Sequence, residues 1–318
     1  MMKSPVSTGS LLVVIAALCL LWVGCNDDPG GQEPPDAGEE SDDGGHSDAD
    51  VEEERQWPPP RPGCNGHPDL CDRPFDQVVF AATHNAMSNA AEEWGAPNQN
   101  LPLRAQLIDG IRVFLLDTYE EDGEILMCHS WCQLGSRPLL DAMEEFRSFL
   151  DENPDEIITI IFEDHIPGEK TVEVLEEARL VELVYTHDAD AGWPTLGEMI
   201  AADTRLVVTN EQAQPPPEWM HHVWHLGWDT PFSFSDPDEF NCDHNRGTQS
   251  GDLFLINHWI LDPLPRPANA EIVNSYDVLM ERVDECQQRW GRLPTFIAID
   301  FHDIGDIFEV VDELNGLE

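Results

Sequence analysis

Lysine is almost absent from this 318-residue chain: Lys3 and Lys170 are the only two, and arginine brings the basic total to 16 against 63 acids. A formal charge of -47 with no basic stripe argues against a nucleic-acid backbone as partner, since nothing is there to release its counterions. Electrostatic adsorption to anionic lipid is disfavoured on the same ground. Long apolar runs are scarce too, and the stretch from Leu11 to Val23 is too short for a comfortable membrane span. Internal repeats, a serine nucleophile elbow, a P-loop and a dinucleotide fingerprint are all missing. What is present is 41% hydrophobic content, enough for the core of one large domain.

Residues 1–25 read as an export signal, with Lys3 as the basic start and the apolar run behind it. The run ends Leu21-Trp22-Val23-Gly24-Cys25, which resembles the lipobox of bacterial lipoproteins and implies a membrane anchor through lipid on Cys25. Trp22 stands where that motif has a smaller residue, so plain secretion is the alternative. Residues 26–56 hold 13 acids against Arg55 alone and read as a self-repelling, disordered tether. The folded domain is then 57–318, where 50 acids against 14 bases still leave -36. Once Cys19 leaves with the signal and Cys25 takes lipid, six cysteines remain. An even count in an exported chain suggests disulfides; proximity pairs Cys64 with Cys71 and Cys128 with Cys132, and elimination pairs Cys242 with Cys286. The spacings fit no standard zinc finger.

Apolar, β-branched runs at Gln77–Thr83, Ile111–Leu116, Ile157–Phe162, Arg205–Thr209, Leu253–Ile256 and Thr295–Ile299 read as strands buried on both faces. Helical spacing joins Leu139, Leu140, Met143, Phe146, Phe149 and Leu150, then Val174, Leu175, Ala178 and Val181, and one helix is expected over Ala270–Trp290. Strand–helix alternation on this scale points to an α/β fold, a regular or distorted TIM-type (β/α) barrel forming a single domain. The strands empty into polar residues: His84-Asn85, Asp117, Glu163-Asp164-His165, Asn257-His258 and Asp300. Carboxyl ends of barrel strands converge on one mouth, so this recurrence marks a site there. His84 and His129 suit paired general acid and base work. Asn85, Asp117 and Glu163 form an all-oxygen set suited to a hard divalent cation. Together these fit phosphodiester cleavage, although composition alone does not separate that from sugar hydrolysis.

Ala82-Thr83-His84-Asn85-Ala86-Met87-Ser88, Gly110-Ile111-Arg112 through Leu116-Asp117, and Cys128-His129-Ser130 resemble the X domain of phosphatidylinositol-specific phospholipase C. The resemblance runs through Ile160–His165 to Phe296–Phe301 and covers roughly residues 75–310. It implies a distorted barrel in which His84 deprotonates the inositol 2-hydroxyl and His129 protonates the departing diacylglycerol oxygen. Arg112 matches a family arginine of structural rather than catalytic character. Asn85 and Asp117 resemble the calcium-dependent branch, and Glu163 matches a further ligand there, so calcium, or magnesium in its place, is the expected cofactor. Leu115 departs from that branch, which has a ligand glutamate at this position, and Asp300 is expected either to replace it or to orient His84. Asn257 and His258 are further candidates for orienting the site or contacting substrate.

The phosphoinositide enzymes carry lysines near the end of the middle strand, where this chain reads Thr209-Asn210-Glu211. A polyphosphorylated headgroup is therefore disfavoured. The expected activity is that of an exported phosphoric diester hydrolase on an inositol-type phospholipid. The alternatives are a glycerophosphodiester phosphodiesterase, a phospholipase D-like activity, or a catalytically silent binding module. Trp219, Trp224, Trp228, Phe232 and Phe234 read equally as a lipid-contact loop or as aromatics packed under a loop. Tyr119 and Trp131 are candidate headgroup contacts.

Overall fold

The computed structural model describes residues 57–188, 191–212 and 217–317. The leader at 1–25 and the tether at 26–56 lie outside the described residues. Within the folded unit, eight strands form one continuous parallel path: β7 (His221–His222), β6 (Leu206–Asn210), β5 (Ile158–Asp164), β2 (Val113–Glu121), β1 (Phe80–Thr83), β10 (Phe296–Ile299), β9 (Leu253–His258) and β8 (Gly227–Asp229). β7 and β8 end the path without pairing with each other, so the barrel is open at that seam. A side hairpin extends β2 through β3 (Glu124–Met127) to the two-residue β4 (Arg137–Pro138), both antiparallel.

Alternation along each strand divides the core in two. Phe80 and Ala82 of β1, Leu253 and Leu255 of β9, and Phe296 and Ala298 of β10 pack with Val113, Ile161 and Val207 inside the barrel. The residues between them, Ala81, Phe254, Ile256, Ile297 and Ile299, pack outward with the helices. This period of two is the ordinary consequence of the pleat. Extended beyond the apolar stretches, the inward set reads His84, Asp117, Glu163, Glu211, Asn257 and Asp300. The same count sends His258 outward.

The helical layer includes α1 (Leu103–Asp109), α2 (Leu139–Glu152), α3 (Gly168–Glu177), α4 (Leu196–Ala201) and α5 (Val223–Leu226). α2 buries Leu139, Met143, Phe146, Phe149 and Leu150 of the stripe expected from its spacing, while Leu140 is only half-buried. The second expected helix stops earlier: α3 ends at Glu177, and Val181 falls in a separate 3-10 turn, Leu180–Leu183. The single helix expected over 270–290 is two, α6 (Pro267–Val273) and α7 (Tyr276–Trp290), followed by α8 (Ile307–Leu314). The break falls at Asn274, whose buried amide donates to the carbonyls of Asp300 and Ile304 at 2.8 and 3.2 Å. That side chain ties the helix layer to the end of β10, and Asp306 then accepts from the Tyr276 backbone N–H at 2.8 Å.

Disulfides join Cys64–Cys71, Cys128–Cys132 and Cys242–Cys286, with Cα separations of 5.1, 5.0 and 5.1 Å. Arg112 is buried just before β2, where it donates to Glu156 at 2.6 Å and to the carbonyls of Leu107 and Ile111. This is a structural role, holding the end of α1 to the barrel base.

Candidate active site

His84 follows β1, and its Nδ1 lies 2.9 Å from Asp300 Oδ1 beyond β10. A carboxylate only accepts, so Nδ1 carries the hydrogen and Nε2 is left with its lone pair. Asp300 Oδ1 also accepts from Asn98 Nδ2 at 3.0 Å, while Asp300 Oδ2 is buried with no hydrogen-bond partner among the described residues. The other face of the histidine is occupied by Trp259, stacked at 3.8 Å with 6° between the rings. A charge partner and a flat apolar wall together fix both the tautomer and the plane of His84.

Asn85 turns the chain sharply at φ 44°, a left-handed conformation that asparagine tolerates better than most residues. Its Nδ2 lies 3.3 Å from Asn98 Oδ1 and 3.5 Å from His129 Nε2. His129 arrives from the end of β3, bracketed by the Cys128–Cys132 bond, and keeps an exposed face. Loss of hydration and then repulsion from His84 hold its pKa below the ordinary histidine value, with Glu163 and Asp300 pulling the other way. The two histidines thus meet at one asparagine, His84 as its chain neighbour and His129 3.5 Å from its amide nitrogen.

Asp117 and Glu163 are register partners on neighbouring parallel strands, and both line a pocket with His84, Asn85 and Leu115. Asp117 is buried, and no hydrogen bond reaches its carboxylate from the described residues. Burial first, then the charges of Glu163 and Glu211, push its pKa well above the usual carboxylate range. A divalent cation would relieve this crowding. The carboxylates of Asp117 and Glu163 and the carboxamide oxygen of Asn85 are hard donors that suit one. Among the described residues no cluster of three or more His, Cys, Asp or Glu side chains has metal-holding geometry.

The rest of the pocket wall is polar, and of it only Asn257 was legible from the strand ends. Arg246 lines the pocket, donating from Nη1 to Glu211 at 2.6 Å and from Nη2 and Nε to Asp229 Oδ2 at 2.7 and 3.0 Å. It also lies over Trp224 and Phe232, with its guanidinium carbon 4.3 and 4.8 Å from their rings. The strand-end segment Thr209-Asn210-Glu211 carries no positive charge itself, but one reaches Glu211 from the loop between β8 and β9. Gly247 makes this possible, because at φ 93° it packs so closely on β8 that a Cβ would come within 2.2 Å of the Gly227 oxygen. Glu211 is raised to about 7 by burial, with Arg246 holding it back. Asn257 donates to Asp229 at 3.0 Å and completes the wall.

Three candidates stand outside that pocket lining. His258 is wholly buried on the outward face, its Nε2 2.7 Å from Val273 O, and burial lowers its pKa to about 4. It is not part of the pocket, as the alternation on β9 requires. Tyr119 stacks on His165 at 4.3 Å, while Trp131 is 63% exposed two residues beyond His129. In the aromatic stretch, Trp228 stacks on Phe254 at 3.8 Å and Phe234 is buried, which is packing rather than display. Asn98 and Trp259 were missed. The carboxamide run Asn98-Gln99-Asn100 and the inward parity of position 259 were the signals available.

A family model described as PI-PLC X 1 matches residues 70–315, and the chain belongs to that family. A PI-PLC X domain-containing protein of Arabidopsis thaliana is 29% identical over 270 residues, covering 76% of this chain and 63% of its own length. An "Uncharacterized secreted protein" of Arthroderma benhamiae is 27% identical over 287 residues, covering 80% of this chain and 64% of that one. The chain therefore spans under two thirds of both these relatives. Among solved structures, the phosphatidylinositol-specific phospholipase C of Listeria monocytogenes matches with a TM-score of 0.54 and 16% identity, over 83% of this chain and 98% of that chain. A Staphylococcus aureus phospholipase C of the same specificity matches at 0.53 and 12%, over 77% and 94%. These likenesses establish the distorted TIM-type barrel. Family and fold together support a phosphodiesterase-type function.

Proposed function

We propose that this protein is an exported phosphodiesterase that cleaves an inositol-type phospholipid in the manner of a phospholipase C. The observation that carries the reading is the pair of histidines meeting at Asn85, one of them fixed by Asp300 with Nε2 free. His84 Nε2 takes the proton from a ring hydroxyl whose oxygen attacks phosphorus. The bond from phosphorus to the glycerol oxygen breaks, and His129 gives its proton to that oxygen. The products are diacylglycerol and a cyclic inositol phosphate. A divalent cation held by Asn85, Asp117 and Glu163 would neutralise charge developing on the phosphate.

A pocket walled by Glu211, Arg246, Asn257, Phe232 and Trp259 offers polar partners suited to a polyol headgroup rather than to an acyl chain. Around it, Trp131 and Leu134 are exposed beyond His129, and Leu261 and Leu264 beyond Trp259, apolar groups suited to a lipid surface. No helix among the described residues is long and apolar enough to cross a membrane. Attachment through lipid on Cys25 would supply the membrane contact.

The test compares turnover of phosphatidylinositol with that of glycerophosphodiesters, before and after exhaustive chelation, in wild type, His84→Ala and His129→Ala. Each variant is expected to lose about 10²- to 10⁴-fold while staying folded, and calcium or magnesium should restore chelated wild type. Near-wild-type turnover by His129→Ala on a natural lipid removes its role as acid. Full activity in chelator removes the cation.

A further inference from the structure

Asp300 Oδ1 is committed to His84 and Asn98, whereas Oδ2 is buried with no hydrogen-bond partner among the described residues. Two neighbouring side chains share that condition. Asn274, between α6 and α7, donates from Nδ2 to the carbonyls of Asp300 and Ile304, and its Oδ1 is buried and unpartnered among the described residues. The indole N–H of Trp259 is buried in the same state. All three side chains line one small cavity, which Ile260, Val273 and Phe301 help to close. Its lining residues are buried except for half-buried Asn269 and exposed Arg266. Trp259 also lines the pocket at the barrel mouth, so its indole stands between the two spaces.

A buried indole N–H and two buried acceptor oxygens are costly to leave unmet. One water satisfies all three, because it accepts from the indole and gives its two hydrogens to Asp300 Oδ2 and Asn274 Oδ1. Other small species do not match this set. A metal ion or an ammonium ion cannot accept from an indole N–H, and an anion is repelled by Asp300. A sugar ring or an acyl chain is too large for the cavity.

We propose that this cavity binds a single water that locks the carboxylate of Asp300, and that Trp259 and Asn274 act through it as positioning residues for His84. The torsion that turns a carboxylate about its last bond is soft, and hydrogen bonds on one oxygen leave the other free to swing. A bond to Oδ2 fixes the plane. The water is itself held by rigid groups, since the indole lies flat on His84 at 3.8 Å and Asn274 is pinned by backbone carbonyls. Trp259 thereby holds His84 twice, on its face by stacking and at Nδ1 by way of Asp300. For turnover this positioning rests on the function proposed above, whereas the water site does not.

A high-resolution crystal structure of the full chain should show one solvent peak within hydrogen-bond distance of Asp300 Oδ2, Asn274 Oδ1 and Trp259 Nε1. No peak, a peak touching only one of the three, or the Arg266 guanidinium on Oδ2 would overturn the water site. Replacing the Trp259 side chain by its benzothiophene isostere, with sulfur in place of the N–H, keeps the stack on His84 and removes the donor. The downfield Nδ1 proton resonance of His84, assigned by its loss in His84→Ala, should then move or broaden. Turnover of phosphatidylinositol should fall about tenfold in kcat, with KM within about twofold. An unmoved resonance, or an unchanged kcat, would refute the positioning role. A moved resonance in a protein that turns over no phosphodiester would support the site and refute the proposed function instead.

Discussion

Replacing Asp300 by asparagine keeps the shape of the group beside His84 and removes its charge. Asp300 Oδ1 accepts from His84 and Asn98, and only 6% of its side chain is exposed. When His84 takes a proton, the imidazolium forms about 4 Å from the centre of that carboxylate. At an effective dielectric of about 20, appropriate to a partly buried pair, the attraction is about 4 kcal/mol. With about 1.36 kcal/mol per decade of rate, losing it slows turnover about a thousandfold. The effect should fall on kcat and leave KM nearly unchanged, because the charge matters only once the proton has moved. Steady-state kinetics on phosphatidylinositol vesicles, with circular dichroism as the check on folding, measures both. A loss smaller than about tenfold in kcat would show that Asp300 only holds the ring and that imidazolium stabilisation is not its role.

Arg246→Met should raise KM at least about tenfold, since the cation that fixes Glu211 and Asp229 in the pocket wall is lost while the histidines are untouched; unchanged KM with lowered kcat would place Arg246 with the reacting groups instead. His258, lowered to about 4 by burial, makes the unfolded state the better proton acceptor between pH 6.5 and 4. Stability should therefore fall as pH drops through that window, by about 3 kcal/mol in total and with no further contribution below it. The difference in urea unfolding between wild type and His258→Gln at pH 7, 5 and 4 isolates this term, and a difference independent of pH would contradict it. Replacing Cys128 and Cys132 together by serine should lower turnover at least about tenfold by loosening His129, at a stability cost of only about 2 kcal/mol for so short a loop. Wild-type turnover in that variant would separate the disulfide from catalysis.

The barrel and most of its mouth were legible because the strands are apolar throughout and change character abruptly at their carboxyl ends. His84, Asn85, Asp117, Glu163, Asn257 and Asp300 all follow that rule, and the structure brings them into one neighbourhood. His258 satisfied the rule of composition and failed the rule of parity, since a residue one place along a strand faces the opposite layer. Counting inward positions from Leu253 and Leu255 would have chosen Trp259 and rejected His258. Arg246 escaped for another reason. Its place is decided by the adjoining Gly247 packed against β8 and by a carboxylate on that strand 17 residues away in sequence. Helix 270–290 was overextended because its periodicity runs through Asn274, whose side chain is engaged by carbonyls roughly thirty residues away.

Asn98 is one planar amide with a supporting partner of each histidine at its two ends: its nitrogen meets the carboxylate that fixes His84, and its oxygen meets the asparagine beside His129. An amide of this kind cannot rotate to satisfy one end without abandoning the other. The base and the acid are therefore coupled in series through a rigid strut, so their spacing is set by the length of one side chain rather than by two independent loops. A change that moves Asp300 should be felt at Asn85, which it does not itself support. In a double-mutant cycle on turnover, substitutions at 300 and 85 should then fail to add, and removing the strut with Asn98→Ala should make them additive.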